Sequence, residues 1–221
     1  MPKALPGNRP SRKPAFILLA IVIMLLLSRA VAVQLTDWLW FREVGFERVF
    51  LLRFTAGGLL WVLAGVLGFA VIYGNARIAM RGIEEVTETV QVLAEGGIQM
   101  RERFLTKLAS LLALPLAAFL SLGLATSASS QWRTLIQYFY RTPFGDVDPV
   151  FGRDIAYYVF TLPTIQLFID LASGALMISL LVMVLPIYLV RGDISIRHGA
   201  LRTERNVELH ASVLIALLLL V

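Results

Sequence analysis

The stretch FTAGGLLWVLAGVLGFAVIY, Phe54 to Tyr73, runs for twenty residues without a charged side chain. At 1.5 Å per residue a helix of that length is about 30 Å long, which matches the hydrocarbon thickness of a bilayer. Working outward, Ala15 to Val33, Leu108 to Ala128 and Ile165 to Val190 are apolar runs of similar length, and a fifth begins at Leu209 and is still apolar at Val221. The expected fold is therefore all-α: a polytopic transmembrane helical bundle with helices near 15–35, 54–73, 108–128 and 164–190, cut off inside a fifth at 209–221.

Composition agrees. Apolar residues make up 58% of the chain and the mean hydropathy is +0.77, well above what a water-soluble core requires. Cys is absent and there are only two His, His198 and His210, so thiolate chemistry and imidazole-rich metal centres are not expected. The +5 net charge is split among short segments between apolar runs, and no aromatic-interleaved basic stripe suggests nucleic acid. The bilayer is the expected partner, with other membrane subunits as a further possibility; no cofactor is implied.

Orientation follows from the basic residues. Lys3, Arg9, Arg12 and Lys13 precede the first run; Arg77, Arg81, Arg101, Arg103 and Lys107 separate the second from the third; Arg191, Arg197, Arg202 and Arg205 follow the fourth. By the positive-inside rule these segments are cytoplasmic, with the N-terminus, and the loops after the first and third runs face outward. A secretory signal ending at Ala30-Val31-Ala32 is the competing reading of the first run. Arg29 just before that site and the continuation into Trp38, Trp40 and Phe41 favour an uncleaved helix with an interfacial aromatic belt.

Residues 1–14, rich in Pro, Gly and basic side chains, read as a disordered cytoplasmic tail. In the first outer loop Trp40, Phe41, Val44 and Val49 suit a short helix lying on the surface. The acidic segment Ile83 to Ala94 has Ile83, Val86, Val90 and Leu93 at helical spacing and reads as an amphipathic cytoplasmic helix stopped by Gly96-Gly97.

Packing signals are sharper than chemical ones. Ala109, Ala113, Ala117, Ser121 and Ala125 recur every four residues in the third run, and Gly57, Ala64, Gly65 and Gly68 share a face of the second. Lipid supplies little drive for helix association, so small residues at this spacing mark faces where backbones approach closely. The fourth run carries one carboxylate, Asp170, seven residues past a first-turn proline, Pro163. That spacing places it in the outer half of the bilayer. It reads either as a proton or cation site or as a structural group, exposed to water or paired with Arg29 or Arg53, with Arg53 the favoured partner.

The second outer loop, Gln131 to Pro163, has Trp132, Leu135, Ile136 and Phe139 on one helical face and four Tyr, Tyr138, Tyr140, Tyr157 and Tyr158, consistent with a segment along the outer interface. Asp146, Asp148 and Asp154 raise a calcium site, but Val150 and Tyr157 stand where an EF-hand needs oxygen ligands. Turn formation and capping explain these aspartates better.

The strings DWLWFREVGFERVF, Asp37 to Phe50, and DPVFGRDIAYYVFTLP, Asp148 to Pro163, separated by two apolar runs, together with RTERNVELHASVLIALLLLV from Arg202, resemble the large bacterial membrane proteins of uncharacterised protein family 0182. The acidic stretch Ile83 to Glu95 has no counterpart in that resemblance. It implies a plasma-membrane protein, multi-pass, with a longer helical bundle followed by a large extracytoplasmic domain absent from this chain, and it supplies no catalytic residue.

Two function classes remain. A membrane anchor or assembly platform is favoured by the small-residue faces, the aromatic outer loops and nearly charge-free helices. A transporter or channel component needs polar or broken helices at mid-membrane, for which Asp170, Pro115 and Pro186 are the hints. Without a nucleophile–base set, metal cluster or phosphate loop, an enzyme is not expected.

Overall fold

The computed structural model describes residues 13–81, 98–191, 194–197 and 200–221. Residues 1–12 of the expected tail, the acidic segment Ile83 to Ala94, Gly96-Gly97 and His198 lie outside the described residues. The chain divides into two compact units, Met1–Phe54 and Thr55–Val221, with the division inside the second helix.

The first unit contains α1, Lys13–Glu43, and the opening turns of α2, Glu47–Met80. The turn between them is short. Phe46 N–H donates to the Phe41 carbonyl at 2.8 Å and Gly45 N–H to Arg42 at 3.2 Å, while Gly45 takes φ +78°, a conformation that disfavours a side chain. The expected separate surface helix is therefore absent: its residues are the last turns of α1 and the first of α2. No breaker intervenes between Val33 and Glu43, and the Thr36 hydroxyl bonds back to the Ala32 carbonyl at 2.8 Å within the helix. Arg53 reaches Asp37 at 3.4 Å, Trp38 Nε1 donates to Glu47 at 3.4 Å, and Phe41, Phe50 and Phe54 form a ring series with 6.0 Å centroid spacings.

The second unit holds the rest of α2, then α3, Ile98–Ser130, the short α4, Trp132–Phe139, α5, Tyr157–Arg191, strands β1, Ile194–Arg197, and β2, Ala200–Thr203, and α6, Arg205–Leu220. Among the described residues four helices, Ala20–Glu43 within α1, α2, Lys107–Ser130 within α3 and α5, are long and apolar enough to cross a membrane. The fold is all-α apart from one antiparallel ribbon, in which Ile194 pairs with Thr203 and Arg197 with Ala200. The alternation Ile194-Ser195-Ile196-Arg197 is the period-two pattern of a strand, a short signal outside the helical reading of the sequence.

Alanines and a set of larger apolar side chains fill the inside, and many more large ones face out. Ala76 and Ala79 of α2, Ala113 and Ala117 of α3, Met183 and Ile187 of α5, and Val207 and Leu214 of α6 belong to one buried cluster around Ile72 and Val184. Leu67 is 64% exposed and Phe119 71%. In water such an outer surface would be an aggregation liability, whereas lipid is as apolar as the side chains themselves. Along the α2–α3 contact, a methyl group at Gly65 would stand 3.3 Å from Ala125 Cβ, at Gly57 3.2 Å from Ser129 Oγ, and at Gly68 3.1 Å from Leu124. The α2 glycines thus sit where α3 comes closest.

α5 contains two widened, π-helical turns, Tyr157–Thr161 and Ser179–Val184. Each is followed at once by a Leu-Pro pair: Leu162 N–H bonds the Tyr157 carbonyl and Leu185 N–H the Leu180 carbonyl, five residues back. Proline has no N–H to give, and its ring clashes with the carbonyl four residues earlier. Widening the preceding turn moves that carbonyl aside and lets the helix pass through Pro163 and Pro186 unbroken. Pro163 is therefore not the start of the fourth long helix, as its spacing suggested, but lies within it.

Replacing Gly65 by Leu forces a side chain into the α2–α3 contact, whereas Gly58 has nothing within 4 Å of the added Cβ. Gly65→Leu is expected to destabilise the bundle by roughly 1–3 kcal/mol, read as a fall in melting temperature in detergent, with Gly58→Leu close to the parent. Equal losses would mean that this face is not a close contact.

Candidate functional site

Three polar side chains from three helices meet where α2 and α5 end and α6 begins. Asn75 lies five residues before the end of α2, Tyr188 three before the end of α5 and His210 five after the start of α6. At 1.5 Å per residue all three fall within about 5–8 Å of their helix ends, so they share a depth. The Tyr188 hydroxyl is 2.9 Å from His210 Nδ1, and His210 Nε2 is 3.1 Å from Asn75 Oδ1.

The direction of the chain follows from its far end. Asn75 Nδ2 donates to the Val71 carbonyl at 2.8 Å, which turns Oδ1 toward the imidazole. An amide oxygen only accepts, so Nε2 carries the proton and Nδ1 is left as acceptor for the Tyr188 hydroxyl. Tyr188 is buried and packs edge-on against the imidazole, with ring centroids 6.0 Å apart. The neutral imidazole is a two-sided connector among α2, α5 and α6.

Arg191 reinforces the same end. Its Nη1 donates to the Ala79 carbonyl and, at 2.9 Å, to that of Arg81, while its guanidinium carbon lies 5.7 Å from the Tyr188 ring centroid. The last carbonyls of a helix lack intrahelical partners and carry its negative dipole end, so a cation there is favourable. With Arg77, Arg81 and Arg205, this is the basic end of the bundle.

The residues singled out from sequence fall elsewhere. Asp170 is exposed and accepts a hydrogen bond from Gln166 Nε2 at 2.8 Å, one turn back on its own helix. Arg53, its favoured partner, is instead engaged with Asp37. Because α5 begins at Tyr157, Asp170 is thirteen residues from the start of a 35-residue helix, about 20 Å along the axis, just past its first third. Ala113, Ala117, Ser121, Ala125 and Gly57 are buried, while Ala109 and Ala64 are half-buried. His210, Asn75 and Tyr188 were passed over; their shared signal is one polar residue at matching distance from three helix ends.

At the opposite end, two aspartates organise the loop between α4 and α5. Asp154 accepts from the backbone N–H groups of Ala156 at 2.7 Å, Gly145 at 3.0 Å and Phe144 at 3.2 Å. Asp148 accepts from Phe151 N–H at 2.7 Å and the Tyr158 hydroxyl at 3.1 Å. These carboxylates are occupied by internal donors, which is capping rather than metal ligation. Among the described residues no three His, Asp or Glu converge as a metal site would need. The bond from Ala156 N–H is the main cause holding the Asp154 carboxyl below its ordinary value, and the bond from Phe151 N–H does the same for Asp148.

Among the described residues, four helices long and apolar enough to cross a membrane, with close contacts at the glycines of α2, have the pattern of a multi-pass membrane protein. The chain belongs to the uncharacterised protein family UPF0182, which it matches over residues 14–221. A UPF0182 protein of Pelobacter propionicus is 34% identical over 212 residues, covering 93% of this chain and 23% of the relative. That of Kocuria rhizophila is 30% identical over 214 residues, 95% of this chain and 21% of the relative. That of Trichlorobacter lovleyi is 29% identical over 201 residues, 91% and 22%. The chain thus spans between a fifth and a quarter of the length of these relatives. No solved structure matches it.

Tyr188→Phe removes the donor to His210 Nδ1 and leaves a half-buried acceptor unpaired. A loss of about 1–3 kcal/mol is expected, read as a lower melting temperature than for Tyr140→Phe, whose ring is exposed. Indistinguishable variants would show that the imidazole bridge does not hold the helices together.

For Asp154, a folded value below the unfolded one, about 3.9, makes its stabilisation fully present above that pH and lost as pH falls through the folded value. The amide resonances of Ala156 and Gly145 should titrate with a midpoint below 3.9. A midpoint at or above it would contradict the capping geometry.

Proposed function

We propose that this chain is a multi-pass anchor and assembly platform in the bacterial plasma membrane, with a cytoplasmic N-terminus, for a large extracytoplasmic domain of the kind its longer relatives have room for, and that it is not itself an enzyme. The observation that carries this reading is the closure of the helices on one another. In the second unit alanines at 76, 79, 113 and 117 pack with Ile72, Met183, Val184, Ile187 and Leu214 in one buried cluster, glycines of α2 lie close against α3, and among the described residues no buried side-chain nitrogen or oxygen lacks a hydrogen-bond partner. A pathway for polar solutes needs unsatisfied or water-facing groups along its length; a support needs tight packing.

One observation favours a transport role instead. Asp170 is an exposed carboxylate just past the first third of a helix long and apolar enough to cross a membrane, where an ionisable group is costly unless it serves a pathway or meets a partner.

Both readings face the same experiment on the full-length protein. In intact cells an impermeant thiol reagent is expected to label Asp146→Cys and not Asn8→Cys, external protease to release a large soluble fragment, and reconstituted protein to show no flux that depends on Asp170. Labelling of Asn8→Cys alone inverts the orientation. A proton or cation flux lost in Asp170→Asn and retained in Arg53→Gln makes transport the function.

A further inference from the structure

We propose that the segment between α4 and α5 is a lipid-facing wedge: Phe139, Tyr140, Val150 and Phe151 enter the boundary between headgroups and acyl chains, and Arg141 and Arg153 meet lipid phosphates. The inference rests on the membrane reading given above and names the surface this loop contacts.

The loop is tethered at both ends to helices of spanning length. α3 ends at Ser130 and the long run of α5 begins at Tyr157. It also does not stand away from them. Thr164, in the second turn of α5, donates its hydroxyl to the Thr134 carbonyl of α4 at 3.4 Å. The Phe144 ring lies 5.8 Å from that of Phe160, and Tyr158 holds Asp148. These contacts keep the segment level with the first turns of α5, the depth at which an aromatic belt meets the headgroups.

Its shape is fixed from within. Asp148 N–H donates to the Arg153 carbonyl at 2.8 Å and Gly152 N–H to the Asp148 carbonyl at 2.9 Å. Val147 and Asp154 form an antiparallel bridge, and Gly152 at φ +65° closes the turn. Val150 and Phe151 are held at its tip, 77% and 74% exposed, with Tyr140 at 74% and Phe139 at 68%. A tip already ordered in this way loses little entropy on inserting, and each apolar group it buries is favourable.

Charge selects the lipid surface. Asp148 and Asp154 stay ionised but direct their oxygens to donors inside the loop, so the groups it can offer a phosphate are the guanidinium groups of Arg141 and Arg153, with Arg133 beside them. Arg141 lies 4.1 Å from the Tyr138 ring centroid and Arg153 4.3 Å from that of Tyr157. Arg141 Nη1 also donates to the Tyr138 carbonyl at 2.8 Å, and a guanidinium laid on an interfacial ring has further N–H groups along its edge for phosphate.

Because the chain has no Cys, single nitroxide labels test this directly in nanodiscs of phosphatidylethanolamine and phosphatidylglycerol. Labels at Val150→Cys and Phe151→Cys should collide more with oxygen, which concentrates in lipid, than with a water-soluble nickel chelate, as a label at the exposed helix position Leu67→Cys should. Asp146→Cys should show the reverse. Adding Arg141→Gln and Arg153→Gln should shift the Val150 label toward water, and no shift would remove the arginines from the proposal. If Val150 and Phe151 behave like Asp146 while Leu67 remains in lipid, the wedge is wrong and the anchor stands. Labels screened from both reagents would mean that protein, not lipid, covers the tip. Nickel access at Leu67 would overturn the membrane reading itself.

Discussion

Close approach between helix backbones is the constraint on which the second unit depends. Where α2 passes α3, the space left at Gly65 is too small for a methyl group to sit at ease against Ala125, and Gly57 and Gly68 face similar limits against Ser129 and Leu124. In a water-soluble bundle the apolar side chains would meet in the middle and expulsion of water would hold them there. Here many of them point outward, and between the helices the glycine contacts and the cluster around Ile72 and Val184 are held by dispersion at short range, which falls away within fractions of an ångström. The polar junction at the basic end is admissible for the same reason: alanines at positions 76, 79, 113 and 117 let α2, α3 and α5 converge, and the imidazole of His210 can then span the distance between an amide and a phenol.

Much of this arrangement was legible in the sequence. Charge-free runs set the number of long helices, and the four-residue recurrence from Ala109 to Ala125 together with the glycines of α2 marked faces that the structure encloses at Ala113, Ala117, Ser121, Ala125 and Gly57. Helix ends were less legible, because they depend on what stops a helix and not on what makes it apolar. The polar residues from Thr36 to Glu43 continue α1 as far as a turn residue, Gly45, and the aromatic residues from Tyr157 onward start α5 ahead of its proline.

The junction of Asn75, Tyr188 and His210 escaped sequence reading because each member is unremarkable alone: one polar residue near the end of an apolar run. Only the common depth of three helix ends brings them together, and depth is a property of the bundle. Asp170 shows the opposite case. As a lone carboxylate in an apolar run it drew attention, yet its ties in the structure are local, to Gln166 on its own helix. Arg53, likewise, answers to Asp37 at sixteen residues' separation and not to a distant helix.

The two widened turns of α5 also carry an arithmetical consequence. Buried residues Ala175, Ser179, Met183 and Ile187 recur every four positions. On a straight α-helix a step of four overshoots the turn by about 40°, so three steps would carry the stripe about 120° around the cylinder. The turn at Ser179–Val184 acts as one extra residue in the hydrogen-bond ladder and takes back about 100° of that phase. Pro186 therefore does more than interrupt: by demanding the wider turn it keeps Ile187 on the same side of the helix as Ala175. A helical wheel drawn with constant pitch would turn that isoleucine about 120° away from the alanine whose face it shares.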